Sequence, residues 1–466
     1  MKHDFNTIAE IFNERPEFAC VKNDQQELVE KIDALSKRPF TEMVTGIADL
    51  YARHNPNMYA PGNNSRLYTQ PDSVAVIGAF IALLGNNSGG TDSSNPIGSI
   101  VAQKVFDFFI KDVVGYIKGE AIDTSGGTAA NEMAIHLARF YFDKQTKNEG
   151  NGNMKFVLLN SDQSHYSLEG GVNRAGLGID TISYIKTHPD GTMNVDDLEH
   201  ALDYYVKNQY HVIVVSTLGT TVLGALDNIN EIADMCYSYK QQRGKIWHHC
   251  DASWGGPITV SRYAELAVGL NKTDSVALDT HKAFKSTLTC GIIVTCHVGL
   301  LTAANFSRGG KKYLYHNNMK NIDNGMRGFE CGKPDRTLPF GMMLMTYGKI
   351  GLSTIINRDV ARARVFSEII SECEDIVVVH NPQYLNVCIQ VVSPMKNISN
   401  SEFTQKIHTY ILNQDSSYTM IELCKDTKSN TFVLRCILSN SSIDSNAMHS
   451  MISEIITIKE IVRNQI

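Results

Sequence analysis

The chain is expected to fold as an α/β protein built on a mostly parallel sheet with helices on both faces. Three observations predict this. Between Gly119 and about Ser307, short apolar runs alternate with stretches of helical periodicity, the pattern of successive strand–helix units. The runs, such as Val212-Ile-Val-Val-Ser216, are continuously apolar rather than alternating, so both faces of the sheet are covered. Polar, chemistry-bearing clusters follow directly on several of these runs, as expected where strand ends border a ligand crevice.

The length and composition set the frame. A chain of 466 residues is too long for one small core, so it divides into lobes. We expect a helical N-terminal segment over 1–60, a large α/β domain over 61–340, connecting helix over 341–374 and a small α+β domain over 375–466. Hydrophobic content of 43% and charged content of 20% describe an ordinary soluble protein. A net charge of −6 and a pI near 6.2 give no basic field for nucleic acid or an anionic membrane surface. The apolar stretch Val74–Leu84 is about half the length of a bilayer crossing and reads as a buried or interfacial helix. The N-terminus shows no signal core, and the ten cysteines contain no C-x-x-C pair. Reduced thiols in a cytoplasm, with no zinc and no disulfide framework, are therefore expected.

In chain order, prolines at 16, 39, 56 and 61 punctuate the helical N-terminal segment, which is expected to pack on another surface such as a second subunit. Pro61–Gln70 is turn-rich and then briefly extended. Asn86–Pro96 is a long polar loop of the kind that lines sites, and Ile97–Ile117 reads as a helix. Strands are expected at Ala121–Thr124, Phe156–Asn160, Val212–Ser216, Ile246–Cys250, Asp274–Leu278 and Cys290–Cys296. Helices fall at Ala129 to about Lys144 and from Asn228, with Asp227 as its N-cap. Helical character returns over Phe340–Ile370. The tail reads strand, helix, strand, helix: Tyr384–Val392, Phe403–Leu412, Thr431–Leu438 and Ala447–Arg463.

Five motifs carry chemistry. Ser125-Gly-Gly-Thr128 lies between a strand and a helix start, where glycines admit an anion to the first N–H groups and the positive end of the helix dipole. Alone it would be a turn with a cap. Ser161-Asp-Gln-Ser-His165 places an imidazole at a strand end, able to lie on an aromatic ring and handle a proton, although most of the fifteen histidines, His248 and His249 among them, are expected to be structural. Thr217-Leu-Gly-Thr-Thr221 offers hydroxyls. Asp251-Ala-Ser-Trp-Gly-Gly256 and Asp279-Thr-His-Lys282 pair an acid with a lysine at neighbouring strand ends. A desolvated lysine can form a Schiff base with an aldehyde, and a carboxylate can hold a protonated ring nitrogen; pyridoxal phosphate requires both.

Together these motifs resemble, in order and approximate spacing over residues 60 to 440, the group II pyridoxal-phosphate-dependent amino acid decarboxylases of fold type I. This is the family of glutamate, aromatic amino acid, histidine and cysteine-sulfinate decarboxylases. The resemblance implies a seven-stranded sheet, pyridoxal 5'-phosphate as cofactor and a homodimer with the site at the subunit interface, and it assigns roles. Lys282 would bind the cofactor aldehyde, Asp251 would partner the pyridine nitrogen and His165 would stack on the ring. Gly127 and Thr128 would hold the phosphate with His281 beside it, and Thr221 and Ser253 would contact the cofactor. Leu67–Gln70 and Phe432–Asn440 resemble the carboxylate-binding segments of the acidic-substrate branch, nominating Gln70 and Arg435; arginine's planar fork suits a carboxylate.

Three departures stand out. Asp279 occupies a position where the family often has a neutral amide near the phosphate. Lys333 in Cys331-Gly-Lys-Pro-Asp335 stands where the family carries arginine. The loop that usually supplies a tyrosine proton donor is short here, with Tyr313 and Tyr315 ahead of it. The expected activity is decarboxylation of an L-amino acid, leaning to an acidic substrate. An aromatic substrate, a carbonyl-forming relative or a pyridoxal-phosphate-binding protein without activity are the alternatives.

Overall fold

The computed structural model describes residues 2–14, 20–21, 25–68, 70–242, 244–306, 323–414, 416–417, 419, 421–426 and 429–466. The chain forms two compact units, one of residues 71–360 and one of residues 1–70 with 361–466.

The second unit begins with helices α1 (Lys2–Asn13), α2 (Gln25–Leu35) and α3 (Phe40–His54). The larger unit begins at α4 (Ser73–Gly85), capped by the Asp72 carboxylate on the Val74 N–H at 2.8 Å. Helix α5 (Pro96–Phe108) has Asn95 as its cap and proline in its first turn, and it passes at Phe109 into a π-helical turn that a left-handed Gly115 ends. The expected helix over Ile97–Ile117 is therefore present, but its last turn is re-wound, which seats Phe109 against Phe284 and Phe340 in an aromatic cluster.

The central sheet has seven strands: β1 (Glu120–Thr124), β2 (Phe156–Ser161), β3 (Ile182–Ile185), β4 (His211–Thr217), β5 (Lys245–Asp251), β6 (Ser275–Asp279) and β7 (Gly291–Thr295). Their spatial order is β1-β7-β6-β5-β4-β2-β3. The pairs from β3 through β6 are parallel, while β7 is antiparallel to both β1 and β6. All but the edge strand β3 are buried almost throughout, which their continuous apolar runs anticipated. The crossing helices α6 (Gly127–Phe142), α7 (Ser167–Arg174), α8 (Val195–Lys207) and α9 (Ile229–Gln241) supply apolar faces. This is the fold type I architecture the motifs implied.

Because β7 runs backwards, its first residue lies at the same edge as the carboxyl ends of its neighbours. Gly291 pairs with Thr124 on one side and Asp279 on the other. A methyl group there would fall 2.5 Å from the Gly126 carbonyl carbon, so glycine is required by close approach.

One boundary differs from expectation. Asp227 does not cap α9; Asn228 does, through the Glu231 N–H. Asp227 is instead buried and accepts from the Thr217 and Met193 N–H groups at 2.7 Å each. Burial pushes its carboxyl up to about 6 despite these donors.

Helix α10 (Thr337–Ser371) is interrupted at Gly348, whose φ of 56° is non-helical. Beyond it, the second unit continues with a four-stranded antiparallel sheet of β8 (Ile376–Val378), β9 (Asn386–Val391), β10 (Glu422–Asp426) and β11 (Thr431–Ile437), with α11 (Asn400–Leu412) and α12 (Ser445–Gln465) packed on it. Among the described residues the expected strand–helix–strand–helix order thus gains three strands: β8, β10 and the two-residue Ser416–Ser417, which pairs with Cys20–Val21. Among the described residues, no helix is long and apolar enough to cross a membrane.

At the opposite edge of the sheet, beside the start of β6, Asp274 joins Lys240 (2.5 Å) and His297 (3.0 Å) in a half-buried charge cluster. Burial opposes the charge on His297, but the Asp274 hydrogen bond holds it protonated, raising it from 6.5 to about 9. Its contribution to stability is therefore complete below pH 6.5 and is lost as pH rises through about 9. The thermal midpoint should fall across that window, and His297→Gln should flatten the decline, as followed by circular dichroism melts.

Candidate active site

The crevice is assembled from the carboxyl ends of β4, β5 and β6, the start of α6 and the turn after β2. Asp251 is the last residue of β5, 7% exposed. Its Oδ1 accepts from the Ser253 N–H at 3.1 Å and its Oδ2 from the Asn131 amide at 2.8 Å. Burial pushes its carboxyl up, but the Lys282 ammonium first, then the His165 imidazole and the hydrogen bonds from Ser253 and Asn131, outweigh burial and hold it below the usual carboxylate range. It is an anion at neutral pH.

Lys282 follows β6 by three residues. Its Nζ lies 2.8 Å from Asp279 Oδ2. Burial disfavours the ammonium, yet Asp279 first and Asp251 second reverse this, leaving its pKa above the ordinary lysine value. His165 lies in the turn between β2 and α7, half-buried, 4.2 Å centroid to centroid from Tyr166. Its Nδ1 accepts the Ser167 N–H at 3.2 Å, and burial lowers its pKa, so the neutral ring carries its proton on Nε2. Asp251 and Lys282 both act on its charge, which places the three residues within electrostatic reach of one another.

The glycine turn is equally defined. Gly126, with φ of 139°, leads into Gly127 at the first turn of α6. A methyl on Gly127 would fall 2.5 Å from Ser253 Oγ and 2.7 Å from Asp279 Oδ2, so Ser253 and Asp279 flank the helix start. The Ser253 hydroxyl is buried without a hydrogen-bond partner. A phosphate against the α6 amides would accept from it, so the residues present fit a phosphorylated ring cofactor. Thr128 is exposed on the same turn. His281 is buried, its Nδ1 accepting the Cys290 N–H at 3.2 Å. Thr221 is half-buried in the turn after β4.

Sequence reasoning left some of the site's supports unread. Lys333 is buried and bonded to Asp123 on β1, the residue before Thr124-Ser-Gly-Gly, so lysine makes an ion pair in place of the family's arginine. Asn95 donates to Asp335 at 2.8 Å, and the Asn86–Pro96 loop is further tied down by Gly89 on the Lys333 carbonyl and Asp92 on Asp323. Asn131, three residues past the Ser125–Thr128 turn, has no role in the sequence reading, and His249 is expected there to be structural. Gln70 and Arg435 belong to the second unit. The buried Arg435 guanidinium donates to the Ser65 carbonyl at 2.8 Å, and Gln70 accepts from the Ser441 and Ser442 hydroxyls. Tyr313 and Tyr315 lie outside the described residues.

Comparison with known proteins decides the family. Residues 54–392 match the "pyridoxal-dependent decarboxylase conserved domain". The chain belongs to this family. It is 28% identical over 351 residues to the acidic amino acid decarboxylase GADL1 of Bos taurus, covering 74% of this chain and 66% of that protein. It is 30% identical over 335 residues to the cysteine sulfinic acid decarboxylase of Rattus norvegicus, covering 71% and 67%. The chain spans slightly under two thirds of the length of the GADL1 relatives it matches, 63% for the human protein. A crystal structure of mouse CSAD shares the fold, with a TM-score of 0.90 at 24% identity over 98% of both chains. Pyridoxal phosphate is accordingly the cofactor against which the crevice is to be read.

Asp279 is the residue that departs most from a phosphate site, since it puts a carboxylate beside the glycine turn and braces the Lys282 ammonium. Asp279→Asn should tighten pyridoxal phosphate binding by about 10-fold and lower the Lys282 pKa, because one buried like charge and the main stabiliser of the ammonium are removed together. Fluorescence titration of the cofactor against the apoprotein at several pH values measures both effects.

Proposed function

We propose that the protein is a pyridoxal-phosphate-dependent carboxy-lyase that converts an acidic L-amino acid to its amine and CO2. The observation that carries this reading is the convergence of Lys282, Asp251 and His165 at one sheet edge opposite the glycine start of α6, in a chain of this family. When bound, the cofactor supplies an aldehyde able to condense with an amine and a ring that draws electrons from the reacting carbon.

The chain's own residues supply the rest. Lys282 offers the amine that anchors the aldehyde, and Asp279 holds its ammonium in place at 2.8 Å. The Asp251 carboxylate, held anionic, keeps a proton on the ring nitrogen. His165 gives a flat neutral imidazole to lie on the ring and orient the substrate. Gly127, Thr128, His281, Thr221 and Ser253 hold the phosphate and ring substituents. We assign recognition of the substrate's carboxylates to Arg435 and Gln70; acidic and sulfinic amino acids are named as substrates of the relatives, which supports the assignment.

We also propose a homodimer that completes the site at its interface, in the cytoplasm. Helix α4 supports the dimer: Ile77, Phe80, Ile81, Leu83 and Leu84 are all exposed, an apolar surface that invites a partner. The double substitution Ile77→Glu with Leu84→Glu should shift the protein toward monomer in light-scattering chromatography, with loss of activity at limiting protein concentration.

The reading is tested by CO2 and amine release over cysteine sulfinate, aspartate and glutamate with pyridoxal phosphate present. Decarboxylation of at least one is expected, and none from any of them would overturn it. Lys282→Ala should abolish turnover and borohydride-fixed cofactor labelling. Arg435→Gln should raise KM for the acidic substrate by about 10-fold or more, since a charged hydrogen bond is lost.

A further inference from the structure

Trp247, His249 and Asp251 alternate along β5, so their side chains share one face of the sheet. Ser275 on β6 lies directly opposite His249 in the parallel register, and α6 brings Asn131 to His249 and Asp251. These five side chains are all buried, none more than 7% exposed.

Their hydrogen bonds can be oriented in one direction by chemistry alone. The Trp247 indole N–H can only donate, and it does so to Ser275 Oγ at 3.1 Å. The Ser275 hydroxyl is left to donate to His249 Nδ1, 2.8 Å away. The Ser275 carbonyl, 3.2 Å from the same nitrogen, cannot donate. The direction is set at the other end: the Asp251 carboxylate only accepts, so the Asn131 amide nitrogen points at Asp251 Oδ2 at 2.8 Å and at Ser167 Oγ at 3.0 Å. Asn131 Oδ1 then faces His249, so the ring proton sits on Nε2 and is donated to Oδ1 at 3.0 Å. Burial pushes the His249 pKa down to about 4, so the ring is neutral and the orientation persists at physiological pH.

We infer that Asn131 and His249 are positioning residues that act through Asp251, forming with Ser275 and Trp247 a one-way chain of donors that orients its carboxylate toward the cofactor's ring nitrogen. The inference rests on the assignment of Asp251 above. An Asp251 stripped of the amide donor is a weaker anion with a free torsion, and the ring proton it holds is correspondingly less secure.

The test uses the holoenzyme with cysteine sulfinate and reads three quantities: the pH dependence of the cofactor's visible absorption, the pyridoxal phosphate dissociation constant, and kcat against KM. Asn131→Leu and His249→Leu should each shift the spectroscopic pH midpoint and lower kcat by about 10-fold, with KM within about two-fold of wild type. His249→Gln, which keeps an N–H donor at the Nε2 position, should restore most of the loss. Because His249 reaches Asp251 only through Asn131 in this chain, the double variant Asn131→Leu/His249→Leu should be no worse than Asn131→Leu alone. If a leucine variant fails to fold by circular dichroism, Asn131→Asp, which keeps the shape but opposes Asp251 with an acceptor, should show the spectral shift. Unchanged spectra and kcat in the single variants, or losses that multiply in the double variant, overturn the chain. A wild type with no pyridoxal-derived visible band overturns the assignment of Asp251 itself; a wild-type band with unresponsive variants overturns the chain alone.

Discussion

Everything in the crevice depends on a balance of buried charge at the carboxyl edge of the sheet. Two carboxylates, Asp251 and Asp279, face one ammonium, Lys282, where water is scarce. Removing an unpaired ion from water costs several kcal/mol, so the Lys282 ammonium and the Asp251 carboxylate each depend on opposite charge nearby. The protein offsets the cost with geometry rather than bulk polarity: strand ends fix the acids, a backbone N–H and a carboxamide satisfy Asp251, and Asp279 lies 2.8 Å from the amine. The surrounding strands are buried and apolar, so these side chains are held among packed neighbours.

Much of this was legible in the sequence because parallel sheets advertise themselves. Strands buried on both faces must be continuously apolar, and so β1, β2, β4, β5, β6 and β7 each fell within a residue or two of the run that predicted them. Polar side chains that interrupt such runs at the carboxyl end have few structural uses, so Asp251, Lys282 and His165 could be picked out as residues at or just past strand ends, where the structure also puts them.

What escaped reading has physical causes. Edge strand β3, Ile182–Ile185, carries partly exposed Ser183 and exposed Tyr184, so no apolar run marked it; β10, Glu422–Asp426, is likewise mostly partly exposed. Periodicity carries no direction, and the reversal of β7 could not be seen. Asp227 and Asn228 are both good caps on paper; only the pull of the Thr217 and Met193 amides on Asp227 decided between them. Asn131 and His249 gave no signal because hydrogen bonds across α6, β5 and β6 join positions far apart in the chain. The cofactor roles of Gly127, Thr128, Thr221, Ser253 and His281, and the substrate roles of Gln70 and Arg435, rest on the motifs and on the chemistry of their surroundings.

The reversed strand leaves one further mark. Since Gly291 is hemmed in by the Thr124 hydroxyl and the Gly126 backbone, the seam where β7 joins β1 and the bend that opens α6 are one piece of packing. A side chain grown at that seam has nowhere to go except into the bend. Sheet assembly and the shape of the glycine turn are thereby mechanically tied, and a lesion in either would be felt as a lesion in both.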